Sequence, residues 1–280
     1  MEFLAGRTNI VPLPYWKQHG GYWGDTSKPV SYPSEEEGLR LLAIEDPAET
    51  YVNTIFRHSV YQSCLPNSGN ILYTHITPPP RLQNFAISFP NLSVYGLDIN
   101  GWVVGANWMA SDYFDCPNLM DIVHADANDT PYDDDSFDAA TNYEGIICYA
   151  TFAEYVRLVR TGGHITTISR NGGGYAHDAV IFFANQASSH AMPYLYQYVE
   201  DGNYYIFNIT VNDILKHQCR VDAAILDHLH GKLQDRSISS SFDDLLSLGL
   251  RPEDIVPSLN RIEQIALHGG GAAGNLYLRN

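Results

Sequence analysis

Between residues 70 and 170, short apolar runs alternate with segments whose apolar residues recur every three to four positions, the pattern of strands alternating with helices. Asn70-Ile71-Leu72-Tyr73-Thr74-His75-Ile76 predicts a strand, after which Pro78-Pro79-Pro80 opens a helix over 81–89. Ser93-Val94-Tyr95-Gly96-Leu97-Asp98-Ile99 predicts a second strand and 101–110 a second helix. A third strand is expected over 120–126 and a fourth over 137–141. Over 151–160 one helical face carries Phe152, Tyr155, Val156 and Val159, with Glu154, Arg157 and Arg160 opposite. Gly162-Gly163 is expected to end that helix, and His164-Ile165-Thr166-Thr167-Ile168-Ser169 to form a fifth strand. This alternation predicts an α/β fold whose mostly parallel, doubly wound sheet is covered on both faces. Such sheets bind ligands beyond the carboxyl ends of their strands, which sets His75, Asp98, Asp126 and Tyr143-Glu144 along one rim.

The flanks read differently. Residues 1–66 are rich in Pro, Trp and Tyr, with one helix beginning at the capping box Ser34-Glu35-Glu36-Glu37 and running into Leu39, Leu41, Leu42 and Ile44. After the fifth strand, "SRNGGGYAHD" (169–178) opens a segment to about 240 that is rich in Tyr, Phe, His and Asn. The chain therefore divides into an N-terminal cap (1–66), an α/β core (67–170), an insertion over the site (171–240) and a C-terminal piece (241–280).

Charge narrows the partners. Among 280 residues, 16 Lys and Arg face 32 Asp and Glu, a formal net charge of −16, and the basic residues are scattered singly. A nucleic-acid partner, which needs a basic patch to release counterions, is not expected. No apolar run is long enough for a bilayer and the N-terminus lacks the pattern of a secretion signal, so a cytoplasmic protein with no membrane partner is expected. Cys64, Cys116, Cys148 and Cys219 lack metal-ligand spacing and read as reduced thiols.

The stretch "ADANDTPYDDDSFDAATNYEGI" (125–146) holds six aspartates. A calcium loop needs a glycine at its sixth position and a glutamate at its twelfth. Counted from Asp126 these are Pro131 and Phe137; counted from Asp133 they are Asp138 and Glu144, with no turn glycine. No metal site is expected there. "DHLH" (227–230) sets histidines two apart, off a shared helix face, and "HGGG" (268–271) has no G-x-S-x-G to accompany it.

"VHADANDTPYDDDSFDAATNYEGI" followed by "FAEYVRLVRTGGHITTIS" resembles the class I S-adenosylmethionine-dependent methyltransferases, and "VYGLDIN" is similar to that family's second strand. The resemblance implies a Rossmann-like sheet with a closing antiparallel hairpin, which "SFDDLL", Gly249 and "GNLYLRN" in 241–280 are expected to supply. It implies S-adenosyl-L-methionine as cofactor, with Asp98 on the ribose hydroxyls beside Ile99, Asp126 on the adenine amino group and Ala127 against the adenine ring. Tyr143 and Glu144 would border the reacting methyl group, with Thr74 near the amino-acid end. A carboxylate can accept both hydrogen bonds of a vicinal diol. Two plainer roles stay open: Asp98 capping the helix near Gly101, and Asp126 starting a turn.

One departure stands out. The family's glycine-rich loop after the first strand is here "LYTHITPPPRL", with no glycine and three prolines that offer no N–H. Help with the amino-acid end is expected from His75, Thr74, Arg81 and the segment 18–25. Methyl transfer needs a base only for a protonated acceptor, and His75, Glu144 and His177 are the candidates. The expected function is O- or N-methylation of a small molecule, with homodimerisation left open. The alternatives are an idle methyltransferase-like binding or regulatory domain, and a cofactor-binding enzyme of other chemistry.

Overall fold

The computed structural model describes residues 29–31, 34, 36, 56–57, 59–143, 149–170, 194–199, 203–234 and 242–268. Through the first half the chain runs α1 (Ser59–Ser63), β1 (Gly69–Thr74), α2 (Arg81–Ser88), β2 (Leu92–Asp98), α3 (Gly101–Tyr113), β3 (Leu119–His124) and β4 (Phe137–Tyr143). It continues as α4 (Tyr149–Leu158), β5 (Val159–Arg170), β6 (Tyr194–Val199), β7 (Asn203–Thr210), α5 (Asp213–Gln234), α6 (Phe242–Leu246) and α7 (Pro252–His268). Seven strands form one sheet in the order β3-β2-β1-β4-β5-β7-β6. The first five are parallel to one another; β7 runs antiparallel to both β5 and β6. The doubly wound sheet with an antiparallel closing hairpin expected from the sequence is present.

Central strands read as continuous apolar runs because both their faces are covered. Ile71, Leu72, Tyr73 and Thr74 of β1 are all fully buried. On one face Leu72, Ala140 and Ile165 pack with Phe152 and Tyr155 of α4, Leu215 and Ile225 of α5, and Ile255 and Ile262 of α7. On the other, Ile71, Tyr73 and Val94 pack with Phe56, Phe85 of α2 and Val104 of α3. There the Tyr73 and Phe85 rings meet edge-on at 4.8 Å and Phe56 and Phe85 at 5.2 Å. Removing any one of these buried rings costs about 3–5 kcal/mol. α5 and α7 are joined by a buried cluster: the Asp222 carboxylate accepts Arg261 Nη2 at 2.6 Å and Nε at 3.0 Å, and also the Ser258 hydroxyl.

Three expectations need correction. The closing hairpin is β6–β7, inside the stretch read as an insertion, and Pro252–His268, where a strand was expected, is helical. Ile255 and Ile262 lie seven residues apart, two helical turns, and both are fully buried, so a helical face rather than an alternating strand is satisfied. The glycine pair does not end a helix: α4 stops at Leu158 and β5 runs through both residues. A side chain at Gly163 would stand 2.5 Å from the Asp138 carbonyl oxygen, so Gly163 permits close strand approach at the irregular register between Phe137 and Ala139, while Gly162 meets a positive φ of 86°. Finally, β3 ends at His124, which leaves Asp126 beyond the strand. "GNLYLRN", most of the helix after Ser34 and the segment 18–25 lie outside the described residues.

Candidate functional site

Strand order reverses at β1, whose neighbours β2 and β4 are reached by crossovers on opposite faces, and this creates a crevice at their carboxyl ends. Register aligns the rim: Thr74 pairs with Asn142 across β1–β4, and Asp98 with His124 across β2–β3.

Asp98 ends β2. Its Oδ1 accepts the Asn100 N–H at 2.8 Å, and the N–H groups of Ile99 and Ile76 also face the carboxylate. Asn100, not Asp98, caps α3, its side chain accepting Trp102 N–H at 3.0 Å. Asp98 is thereby released from the capping role and ties the end of β2 to the loop after β1. Burial raises its pKa to about 6, more than those backbone hydrogen bonds and the nearby His124 lower it. The Ile99 carbonyl accepts or faces His124 Nε2 at 2.9 Å, which fixes the chain beside Asp98.

Thr74 and His75 end β1. The Thr74 hydroxyl lies 2.9 Å from His75 Nδ1 and hydrogen-bonds the Tyr155 hydroxyl of α4. Asn142 Nδ2 donates to that Tyr155 oxygen at 3.3 Å, while its Oδ1, on a side chain 1% exposed, has no hydrogen-bond partner. His75 sits in the left-handed region with φ 56°, where a glycine would be unstrained. Burial lowers its pKa to about 4, so at neutral pH the ring is uncharged and a weak proton acceptor. Tyr143, 4% exposed at the end of β4, carries the Arg81 guanidinium over its ring at 4.5 Å. Glu144 and His177 lie outside the described residues.

Asp126 forms a turn: its Oδ1 accepts the Asn128 N–H at 2.9 Å and its carbonyl the Asp129 N–H at 3.0 Å. Ala127, inside that turn, is buried. Three of the remaining aspartates form ion pairs. Asp134 pairs with Arg157 at 2.7 Å, Asp135 with Lys216 at 2.5 Å and Asp138 with Arg160 at 2.5 Å. Glu154, buried in α4, anchors the loop by accepting Thr130 N–H at 2.9 Å and its hydroxyl at 2.7 Å. Burial alone would raise the Glu154 pKa, but Arg157 and Thr130 together hold it below its ordinary value. Among the described residues no three metal-ligating side chains come together, and no helix is long and apolar enough to cross a membrane.

The donor set fits a nucleoside with an acidic ribose contact: a half-buried carboxylate at the β2 end, a small buried residue in the β3 turn, and polar groups at the β1–β4 switch. It does not fit backbone cradling of an anionic end by the loop, because Pro78, Pro79 and Pro80 have no N–H. Tyr155 and Asn142 were not singled out for the site from sequence. Tyr155 satisfies the apolar periodicity of α4, and only the tertiary contact shows that its hydroxyl reaches β1.

Residues 82–167 match a family model described as a methyltransferase domain. The phthiotriol/phenolphthiotriol dimycocerosates methyltransferase of Mycobacterium tuberculosis is 45% identical over 49 residues, 16% of this chain and 18% of that protein. The protein of the same description from Mycobacterium leprae is 34% identical over 70 residues, 24% of this chain and 26% of that one. The matched stretch thus spans 18 to 26% of the length of these curated relatives. A crystal structure from Methanococcus maripaludis, described as an S-adenosyl-L-methionine-dependent methyltransferase, superposes with a TM-score of 0.51 at 13% identity. The superposition covers 64% of this chain and 93% of that one, a likeness of fold.

Proposed function

We propose that this member of the class I S-adenosylmethionine-dependent methyltransferases binds S-adenosyl-L-methionine along the rim from Asp98 to Tyr143 and methylates an oxygen or nitrogen of a small molecule. The observation that carries the reading is the half-buried Asp98 carboxylate at the carboxyl end of β2, next to the switch point, within the residues matched by the methyltransferase model. When bound, the cofactor supplies an already activated methyl group. The chain has to align the acceptor with it and exclude water.

Asp98 accepts from the ribose hydroxyls, Ile99 lies beside it, and Asp126 and Ala127 border the adenine. Thr74 and Tyr143 close the rim toward the reacting centre. Neutral His75 serves better as a hydrogen-bonding wall than as a base, which leaves Glu144 and His177 as the candidates for proton removal. The mycobacterial relatives are described by phthiotriol acceptors, which supports including lipid-like hydroxyl compounds among the acceptors screened. The acidic composition supports a partner other than nucleic acid.

A second reading, an idle methyltransferase-like binding domain, is favoured by the glycine-free loop 75–80. Calorimetric titration with S-adenosylmethionine and S-adenosylhomocysteine separates the two. Micromolar binding followed by product formation with a screened acceptor supports the enzyme, and no binding at millimolar ligand overturns it.

A further inference from the structure

We infer that His75 serves the crevice as a hydrogen-bond donor, held as its Nε2–H tautomer by a one-way chain from Asn142 through Tyr155 and Thr74, and not as a base. The tautomer follows from this geometry alone; its bearing on methyl transfer rests on the reading above. The four residues come from the ends of β1 and β4 and from α4, which meet at the strand-order switch. Asn142 Nδ2 lies 3.3 Å from the Tyr155 phenol oxygen, that phenol meets the Thr74 hydroxyl, and Thr74 Oγ1 lies 2.9 Å from His75 Nδ1. Each hydroxyl has one proton to give, so the direction of the chain decides which imidazole nitrogen carries hydrogen.

Three features set that direction. The Asn142–Tyr155 separation lies closer to the range of N–H···O, which extends to about 3.2 Å, than to that of O–H···O, which ends near about 3.0 Å. The amide therefore gives and the phenol oxygen receives. Of the two hydroxyls the phenol, with a pKa of about 10, is the more acidic and the better donor, so its proton goes to Thr74. Thr74 then donates to His75 Nδ1, the most basic acceptor in the chain, and burial keeps that ring neutral at pH 7. The remaining hydrogen of the imidazole sits on Nε2, which has no hydrogen-bond partner among the described residues. With Nδ1 engaged and Nε2 protonated, the ring has no lone pair left for a proton. Its ligand is an oxygen with a free lone pair, such as a carbonyl or ether oxygen, and a proton leaving a hydroxyl or amine acceptor goes to another group. Tyr155 and Asn142 act through His75 and are positioning residues.

The test is nitrogen-15 magnetic resonance of the full chain labelled at histidine, without ligand at pH 7, with the His75 signals identified by their loss in His75→Asn. The native protein should show a pyridine-type Nδ1 and a pyrrole-type Nε2, in at least about tenfold excess over the other tautomer. A smaller excess, or a predominant Nδ1–H tautomer, overturns the inference without any variant, so a variant that fails to fold does not protect it. In Asn142→Asp at pH 8 the introduced carboxylate can only accept. The phenol proton should turn to it and the Thr74 proton to Tyr155, which makes His75 mainly Nδ1–H. An unchanged tautomer in the folded variant overturns the chain as its cause. Calorimetry with S-adenosylhomocysteine on the native sample reads the other half: failure to bind overturns the role in methyl transfer and leaves the tautomer decided by its own spectrum.

Discussion

The hydroxyls of Thr74 and Tyr155, 81 positions apart, share a buried hydrogen bond that ties α4 to the end of β1 at the strand-order switch. Asn142 leans on the same Tyr155 oxygen at 3.3 Å, so one phenol orders two strand ends. Tyr155→Phe should remove the hydrogen-bond partner of Asn142 Nδ2 and leave the Thr74 hydroxyl with His75 Nδ1 alone, and should cost about 1–3 kcal/mol, read by urea denaturation. A Thr74→Val, Tyr155→Phe double variant should cost less than the sum of the single changes. Full additivity would show that the two hydroxyls act independently.

Asp98 and His75 make opposing contributions to pH dependence. The Asp98 pKa of about 6 lies above its ordinary 3.8, so the folded state holds an extra proton between them. The stability from this group is present at pH 3.8 and lost as pH rises to 6. The His75 value of about 4 lies below 6.5; its stability is present above pH 6.5 and lost as pH falls toward 4. Each slope is at most about 1 kcal/mol per pH unit at these partly exposed residues. Asp98→Asn should leave stability rising with pH between 4 and 6.5. His75→Asn, which tolerates the left-handed backbone, should leave it falling between 4 and 6. Denaturation midpoints at three pH values check this, and identical slopes in both variants would refute it.

If Asp98 receives the ribose hydroxyls, only its ionised form does so. Affinity for S-adenosylhomocysteine should then fall as pH drops below about 6, by up to about tenfold per unit. Asp98→Asn should weaken binding about 10- to 100-fold at pH 7.5 and flatten that dependence. Calorimetry across pH 5–8 measures both. An Asn variant with native affinity would remove the ribose contact.

The acidic loop divides into strong and weak ties. Glu154→Ala deletes the buried acceptor of Thr130 and Arg157 and should cost about 3 kcal/mol. Lys216→Ala breaks the pair with exposed Asp135 and a long 3.5 Å contact with the Arg157 carbonyl, and should cost no more than about 1 kcal/mol. Thermal unfolding distinguishes them, and equal losses would contradict the division.

The glycine pair offers a sharper contrast. A methyl at Gly163 would meet backbone oxygen at 2.5 Å and Val159 Cγ1 at 2.6 Å, and Gly163→Ala should cost at least about 2 kcal/mol. Gly162 has φ 86° with open space around it, so Gly162→Ala should cost about 1–2 kcal/mol from backbone conformation alone. Reversal of that order would mean that β5 slides to admit the side chain.

The strand-helix rhythm of 70–170 was legible because central parallel strands announce themselves as unbroken apolar runs, as in Ile71 to Thr74. The closing hairpin was misplaced because the resemblance assigned it to 241–280, although the seven-residue spacing of Ile255 and Ile262 fits two helical turns and both side chains are fully buried. Gly162 and Gly163 carry the composition of a helix stop, yet the demands they meet are a left-handed backbone at Gly162 and the close approach of β4 at Gly163. At the site, Asp98 was readable as a strand-end carboxylate. Its hold on the loop after β1 was not, since hydrogen bonds to backbone N–H leave no trace in side-chain identity. Arg81 over Tyr143 joins residues 62 positions apart, beyond any local pattern.

The proline loop also has a kinetic reading. A glycine-rich cradle closes on its ligand and surrenders backbone freedom as it does so, whereas Pro78 to Pro80 have little freedom left to lose. Encounter with such a preformed wall needs no slow ordering step, so association should run at an ordinary rate for ligand entry into a rigid crevice. Differences between ligands, and between variants at Asp98, should then reside in how long each complex lasts.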